Sequence, residues 1–200
     1  MLPALLGILL SGCSGPSRNT QPPPDRGTAL ADFDTTSVVV HRASFCDVID
    51  PAAVRRALGS DPAETTSYLN GDRAAITATI TDVAHEYSCR YATDDDTVAR
   101  AWLFAPRIPV SRARALVTGA SRAKGCHRLA GAPAFGDPGV GLLCRRQGAT
   151  TVTFRGLFVD AWLSCSLSAQ GGPLDRADLV DRAGRWCVEV VTASAASTAP

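Results

Sequence analysis

The spacing of hydrophobic positions changes along the chain, and each spacing predicts a different element. Between residues 51 and 58 the apolar side chains recur at helical spacing and form one stripe. Asp50 is suited to cap this helix, Pro51 to occupy its first turn and Gly59 to follow its last residue. The pattern therefore predicts a short helix that ends before Gly59.

Alternation of polar and apolar residues after this helix predicts strands. The predicted strands lie at about 63–69, 85–93 and 97–105. The second strand places Tyr87, Cys89 and Tyr91 on one face, and the run Asp94–Asp96 predicts a turn before the third. The β-branched stretch 77–83 is compatible with a further strand or with part of a long loop.

The second half of the chain predicts a helix, then a group of strands, then a final helix. Residues 111–123 predict a helix with Ser111 as its cap, and 175–192 predict a final helix with apolar residues at helical spacing. A meander is predicted between them, with strands at 142–146, 150–155 and 158–166. The order helix, strands, helix, strands, helix predicts an α+β fold, an antiparallel sheet with about three helices packed on one face.

The first residues of the chain have the pattern of an export signal. Leu2 to Leu10 is an apolar run with the size of a signal-peptide core, too short to span about 30 Å of hydrocarbon. It is followed directly by Leu-Ser-Gly-Cys, an aliphatic residue and two small residues before Cys13. This is the pattern of a bacterial lipobox, which predicts cleavage before Cys13 and a diacylglyceryl group on its sulfur. The alternative is an ordinary signal peptide and a seventh structural cysteine.

These features divide the chain into four expected parts. Residues 1–12 form the signal peptide, and 13–37 form a lipidated, disordered tether rich in Pro, Ser, Thr and Gly. A single α+β domain spans 38–193, and 194–200 form a disordered tail. The expected location is the extracytoplasmic face of the cell membrane, with the bilayer as a partner through Cys13.

Cysteine content supports an oxidising compartment. Besides Cys13 the chain has six scattered cysteines and no Cys-x-x-Cys pair, which favours disulfides over a zinc or redox site. Six cysteines allow many pairings. We favour pairing of neighbours in the sequence, which gives the pairs Cys46–Cys89, Cys126–Cys144 and Cys165–Cys187. By the chain-entropy argument each would contribute about 3 to 4 kcal/mol.

Charge and motifs exclude several function classes. The chain has 20 basic and 19 acidic residues, without the basic excess typical of nucleic-acid binding proteins. No hydrolase elbow, phosphate-binding loop or zinc-protease motif occurs, and the three histidines lie outside any recognisable catalytic pattern. We therefore expect no catalytic residues, no metal ligands, no cofactor and no nucleic-acid partner.

The segment 129–141 is the best candidate for a functional loop, because it is long, rich in Gly and Pro, and flanked by two cysteines. A purely structural loop is the alternative interpretation. The candidate binding residues are Ala134, Phe135, Asp137, Gly139 and Gly141.

Several of these motifs occur together in a known group of proteins. Cys46-Asp-Val-Ile-Asp-Pro-Ala52 opens a helix that ends Leu58-Gly59, and Cys89 is followed two residues later by an aromatic residue. With the Gly-Val-Gly turn at 139–141, an Ala-rich final helix and the lipobox, the chain resembles a family of actinobacterial envelope lipoproteins of unknown function. The resemblance implies an envelope location and a sensor-like or binding domain, and it supplies no catalytic residue and no pairing for the last four cysteines.

We therefore expect a membrane-anchored lipoprotein with a non-catalytic binding or sensor-like domain. Its partner would be a cell-wall component, a small apolar molecule or another envelope protein. The alternatives are an envelope hydrolase with scattered carboxylate acid and base residues, and a purely structural docking protein. A concave apolar pocket would favour the first, and facing carboxyl groups with raised pKa values would favour the second.

Overall fold

A computed structural model describes residues 25–75, 79–171 and 175–197, so Cys13 and the lipobox lie outside the described residues. The described part is an α+β fold built on a seven-stranded antiparallel sheet, which confirms the expected class. In spatial order the sheet consists of β1 (Glu64–Tyr68), β4 (Glu86–Ala92), β5 (Val98–Phe104), β9 (Ala161–Gln170), β8 (Ala149–Phe158), β7 (Gly139–Arg146) and β6 (Cys126–Arg128). A separate hairpin joins β2 (Arg73–Ala75) to β3 (Thr81–Val83), so part of the ambiguous stretch 77–83 is a strand.

The first helix, α1 (Pro51–Leu58), has the predicted ends. The Asp50 carboxylate accepts a hydrogen bond from the Ala52 amide at 2.8 Å, and Pro51 occupies the first turn. Gly59 follows with φ of 89°, a left-handed conformation that glycine adopts without a steric penalty. The buried stripe of α1 consists of Ala53, Val54, Ala57 and Leu58.

Helix α3 (Arg176–Ala196) and α1 pack on one face of the sheet. The odd-numbered residues of β9, including Cys165, point to this face because side chains alternate along a strand. The helix contributes Trp186, which is 1 % exposed and donates its indole N–H to the Arg100 carbonyl at 3.2 Å. The main hydrophobic core therefore lies between the sheet and these two helices.

Helix α2 (Val110–Ser121) lies on the opposite face, so the expectation that the helices share one face is wrong. Its small apolar stripe, Ala113 and Val117, packs on apolar residues of that face of the sheet. These sheet residues are Val140, Leu142, Leu157 and Trp162. Nor is Ser111 the cap: the N-cap position is Pro109, which has no side-chain capping hydrogen bond, and the helix begins one residue earlier than predicted.

The three favoured cysteine pairs are confirmed as disulfides. Cys46–Cys89 links the turn before α1 to β4, and Cys165–Cys187 links β9 to α3. Cys126–Cys144 joins directly paired residues of β6 and β7, at the edge of the sheet. Two of the bonds thus tie the sheet to the elements that cover it, and the third joins two of its own strands.

The chain before residue 38 packs on the domain over its described length. A short 3-10 turn, Leu30–Asp32, buries Leu30 to 4 % exposure against α3. Thr35 is also buried, and at the other end α3 continues to Ala196 with Ser197 buried. The folded part therefore extends in both directions beyond the expected limits of 38 and 193. Within the described ranges no helix is both long and apolar enough to cross a bilayer.

Candidate functional site

The second half of the candidate loop 129–141 is fixed to the core by Phe135. This side chain is 2 % exposed, and its ring lies 5.2 Å from that of Phe158 and 6.0 Å from that of Phe154, measured between centroids. Aromatic pairs at these distances stabilise a core beyond their buried area. Phe135 therefore anchors the loop and is not available to a ligand.

Backbone contacts hold the neighbouring loop residues. Thr35 donates its hydroxyl proton to the Ala134 carbonyl at 3.3 Å and accepts from the Gly136 amide at 3.3 Å. The Asp137 amide donates to the Leu157 carbonyl at 2.8 Å. These bonds join the loop both to β8 and to the described chain before the domain, residues 25–37, which we call the N-terminal arm.

The loop glycines permit close backbone approach. A Cβ atom at Gly139 would overlap the carbonyl oxygen of Phe135, and a Cβ at Gly141 would lie 3.0 Å from both Ala132 Cβ and the Phe154 ring. The five expected binding residues therefore fill structural positions around Phe135. All five also line a second concavity of about 320 Å³, together with Arg128, Leu129, Ala132, Pro133, Gly136 and Val140.

The first half of the loop lines a larger cavity of about 560 Å³. Residues 129–133 form one wall, the first turns of α3 form another, and the arm residues 29–31 form the third. Phe154 of β8 is the sheet residue that lines this space. The apolar lining side chains are Ala29, Leu30, Ala31, Leu129, Ala130, Ala132, Pro133, Phe154, Ala177 and Val180.

Small residues leave this space between the three walls. Half of the apolar lining residues are alanines, and glycines occupy positions 131 and 184. Gly184 lets the arm lie directly against α3, since a Cβ there would lie 3.2 Å from the Leu30 Cβ. The cavity thus depends on the arm being held in place.

Charged residues of α3 hold the arm. Arg185 donates to the Gly27 carbonyl and, through Nε, to the Asp181 carboxylate at 2.9 Å. Arg56 of α1 lies 3.4 Å from the Asp25 carboxylate and 3.2 Å from the Glu189 carboxylate. These partly exposed pairs fix the path of the chain as it leaves the domain toward residue 24.

The opposite face of the sheet contains a second group of residues that sequence reasoning missed. Arg100 and Arg155 both stack on Trp102, with guanidinium carbons 5.2 Å and 5.3 Å from the ring centroid. The alternation of side chains along β5 and along β8 was the signal available in the sequence. It could not predict this contact, because the contact joins residues of two strands that are separated by β9.

Two exposed carboxyl groups, those of Asp34 and Asp95, have lowered pKa values. A hydrogen bond from Thr36 lowers the pKa of Asp34, and one from Thr93 lowers the pKa of Asp95, because each stabilises the charged carboxylate. Asp95 lies in the predicted turn between β4 and β5. Within the three described ranges, no group of three or more His, Cys, Asp or Glu side chains is arranged to hold a metal ion.

Comparison with models of known protein families gives no match, and comparison with curated proteins gives none either.

Proposed function

We propose that this chain is a membrane-anchored extracytoplasmic lipoprotein whose domain binds a small, mainly apolar ligand in the cavity between the arm, the loop 129–133 and α3. The cavity is the observation that favours this function. Its volume of about 560 Å³ lies within the range of roughly 300–1,000 Å³ typical of small-molecule sites.

The lining supports an apolar ligand. Leu30, Leu129, Phe154 and Val180 supply the larger apolar side chains. The charged lining residues are Arg176 and Asp181 of α3 and its N-cap residue Asp175. Such a combination favours a molecule with an apolar body and few polar groups. Asp181 is already paired with Arg185, which reduces its demand for a ligand partner.

The arm links the cavity to the expected anchor. Residues 29–31 line the cavity, and the chain from residue 24 back to Cys13 is twelve residues long. Fully extended, such a segment spans roughly 40 Å. A lipid on Cys13 would therefore keep the cavity within about that distance of the bilayer surface, where apolar molecules concentrate. The three disulfides support an oxidising location outside the cytoplasm.

The two alternatives have less support. A hydrolase that uses carboxylate acid and base residues would need a carboxyl group with a raised pKa in a cleft, whereas Asp34 and Asp95 have lowered pKa values and are exposed. A docking protein would need no cavity. We therefore favour binding without catalysis.

Photolabelling tests the cavity. The intact protein, in membranes, is photolysed with a neutral alkyl probe that bears a diazirine, and the labelled peptides are identified by mass spectrometry. We expect labels in the peptides that contain 129–133 and 176–184. Ala177→Trp should reduce this labelling, because Ala177 lines the cavity and is exposed.

Ala196→Trp is the matched control, since Ala196 is an exposed alanine in the same helix, about 28 Å further along its axis. It should label as the unmodified protein does. Equal labelling of all three proteins, or labels spread evenly over the surface, would contradict binding in the cavity. The anchor is tested separately by the mass of the N-terminal peptide from membrane-extracted protein: an unmodified thiol on Cys13 would contradict lipidation.

A further inference from the structure

The sheet face opposite α1 and α3 is only partly covered by a helix. Helix α2 packs over β7 and β8, against Val140, Leu142 and Leu157, and over Trp162. Across β4 and β5 the surface is formed by side chains of the sheet itself, with Arg100 exposed and Trp102 half-buried. This region is on the other side of the sheet from the apolar cavity.

Trp102 is the centre of a row of paired residues on this face. It is paired with Ser88 of β4 on one side and with Ser164 of β9 on the other. Ser164 is in turn paired with Arg155 of β8. Residues paired in this way point to the same side of a sheet. Small serines beside the indole leave room for long side chains to lie across it.

Two guanidinium groups share the indole. The Cζ atoms of Arg100 and Arg155 lie 5.2 Å and 5.3 Å from the centroid of the Trp102 ring. Both guanidinium groups therefore lie beside the same indole ring. We call Arg100, Trp102, Arg155 and Ser164 the arginine patch.

The buried polar atoms of the arginine patch lack protein partners. Arg155 Nε and Ser164 Oγ are buried, and neither has a hydrogen bond to any described residue. Ser164 is 0 % exposed. Buried polar atoms are nearly always paired, and an unpaired buried charge is especially costly. The two unpaired atoms belong to residues that are directly paired across β8 and β9.

Nearby charges do not compensate the guanidinium groups. The strands present two carboxylates on this face within the described ranges, Glu64 and Glu86. Glu64 is paired with Arg90 at 2.7 Å, and Glu86 accepts a hydrogen bond from Tyr68. Burial, with the charge of Arg146 added, lowers the pKa of Arg155. The excess charge here is positive.

We propose that the arginine patch binds a phosphate group. Its oxygens would accept hydrogen bonds from the exposed Arg100 guanidinium and, once the Arg155 side chain shifts outward, from Arg155 Nε and the buried Ser164 hydroxyl. Guanidinium groups bind such oxyanions strongly because their planar N–H donors match the spacing of the oxygens. A tetrahedral phosphate offers acceptors in several directions, which suits donors that lie on three different strands. The group is either free phosphate or the headgroup of an anionic phospholipid.

Thermal unfolding of the full-length lipoprotein tests this proposal. The protein is placed in phosphatidylcholine nanodiscs and heated with inorganic phosphate or with sodium chloride at the same ionic strength. A ligand that binds the folded state raises the unfolding temperature. We expect phosphate to raise it in the unmodified protein. Arg100→Met and Arg155→Met should each weaken phosphate binding, derived from this shift, by about tenfold or more.

Arg73→Met is the matched control, because Arg73 is an exposed arginine in the separate β2–β3 hairpin. It should retain the phosphate response. Without phosphate, Arg155→Met should unfold at the same temperature as the unmodified protein or higher, since it removes a buried charge that the protein leaves unpaired. A merely structural Arg155 would instead give a lower unfolding temperature and an unchanged phosphate response, which would overturn the proposal.

A second arm distinguishes the source of the phosphate group. The same proteins are heated in phosphatidylglycerol nanodiscs without added phosphate. Stabilisation there that is lost in Arg100→Met assigns the site to lipid headgroups, and stabilisation by free phosphate alone assigns it to a soluble ligand. If neither condition stabilises the unmodified protein more than its Arg100→Met variant, the arginine patch does not bind phosphate. The cavity proposal is unaffected by any of these results.

Discussion

Cys165 of β9 and Cys187 of α3 form a disulfide whose Cα atoms are 5.5 Å apart, and both residues are 0 % exposed. The bond thus joins the centre of the sheet to the helix that covers it. Cys126–Cys144 differs in position, since both of its residues are partly exposed at the sheet edge. The two bonds close loops of similar length, with sequence separations of 22 and 18.

Removal of the central disulfide should be more damaging than removal of the edge disulfide. By chain entropy alone, the double variants Cys165→Ala/Cys187→Ala and Cys126→Ala/Cys144→Ala should each lower the free energy of unfolding by about 3 kcal/mol. The central variant should lose more, because it also removes buried sulfur atoms from the core. Urea denaturation measures both, and equal losses would contradict the added packing effect.

Partial reduction should open the edge disulfide first. A thiolate must reach a sulfur atom to exchange with it, and the sulfurs of Cys126 and Cys144 belong to partly exposed residues. Limited treatment of the native protein with a reductant, then alkylation and peptide mass mapping, gives the order. Labelling of Cys165 before Cys126 would contradict the exposure argument.

Gly156 allows the backbone of the candidate loop to lie directly against β8. A Cβ atom at this position of β8 would overlap the carbonyl oxygen of Phe135. The nearest atoms all belong to the backbone of Phe135 and Gly136, which has little room to shift. Gly156→Ala should therefore lower the free energy of unfolding by roughly 2 to 3 kcal/mol. Gly119→Ala is the control: it lies in α2 with open space around it and should stabilise by about 0.5 to 1 kcal/mol. Equal effects of the two substitutions in denaturation would disprove the tight contact.

The N-terminal arm should contribute to stability through Leu30. This side chain is 4 % exposed against α3, so Leu30→Ala should cost about 2 to 3 kcal/mol in denaturant unfolding. Val39→Ala should have little effect, because Val39 is 54 % exposed. A loss below about 0.5 kcal/mol for Leu30→Ala would indicate that the arm is a loose tether in solution.

Alkaline pH should destabilise the fold through Tyr91. Burial raises the pKa of this phenol, with a smaller contribution from Asp47, and its hydroxyl donates to the Cys46 carbonyl at 3.3 Å. Because the folded pKa lies above the usual tyrosine value of 10.0, this stabilisation is complete below pH 10 and is lost as pH rises through the folded pKa. Unfolding free energies at pH 8 and 11 should therefore differ less in Tyr91→Phe than in the unmodified protein. An identical pH dependence would exclude this role.

Local signals in the sequence were sufficient for some elements. Helix α1 forms where Asp50, Pro51 and Gly59 predict it, because caps and a fixed proline φ act within one turn of the chain. Pairing of neighbouring cysteines was also predictable, since adjacent elements in the sequence are often adjacent in space. The phenyl ring of Phe135 was not assignable to core or ligand from its position in a Gly/Pro-rich loop.

Other features depend on the order of strands in the sheet. Helix α2 has too few apolar residues to indicate which face it covers, and only its packing on Val140 and Leu142 decides this. Arg155 of β8 reaches Trp102 of β5 across the intervening strand β9. This spatial order of three strands does not follow their order in the chain. The arm closes the cavity because Gly184 admits Leu30, a contact between residues far apart in sequence.

The sequence by itself determined the α+β class, the first helix and the cysteine pairs, because these follow from residue periodicity, capping and chain proximity. Its lipobox remains a prediction about the anchor. The tertiary structure alone decided which faces are covered, where the cavity lies and which arginines share an indole. These properties depend on contacts between residues that are far apart in the sequence. The pattern of residues along the chain does not reveal which of them are close in space.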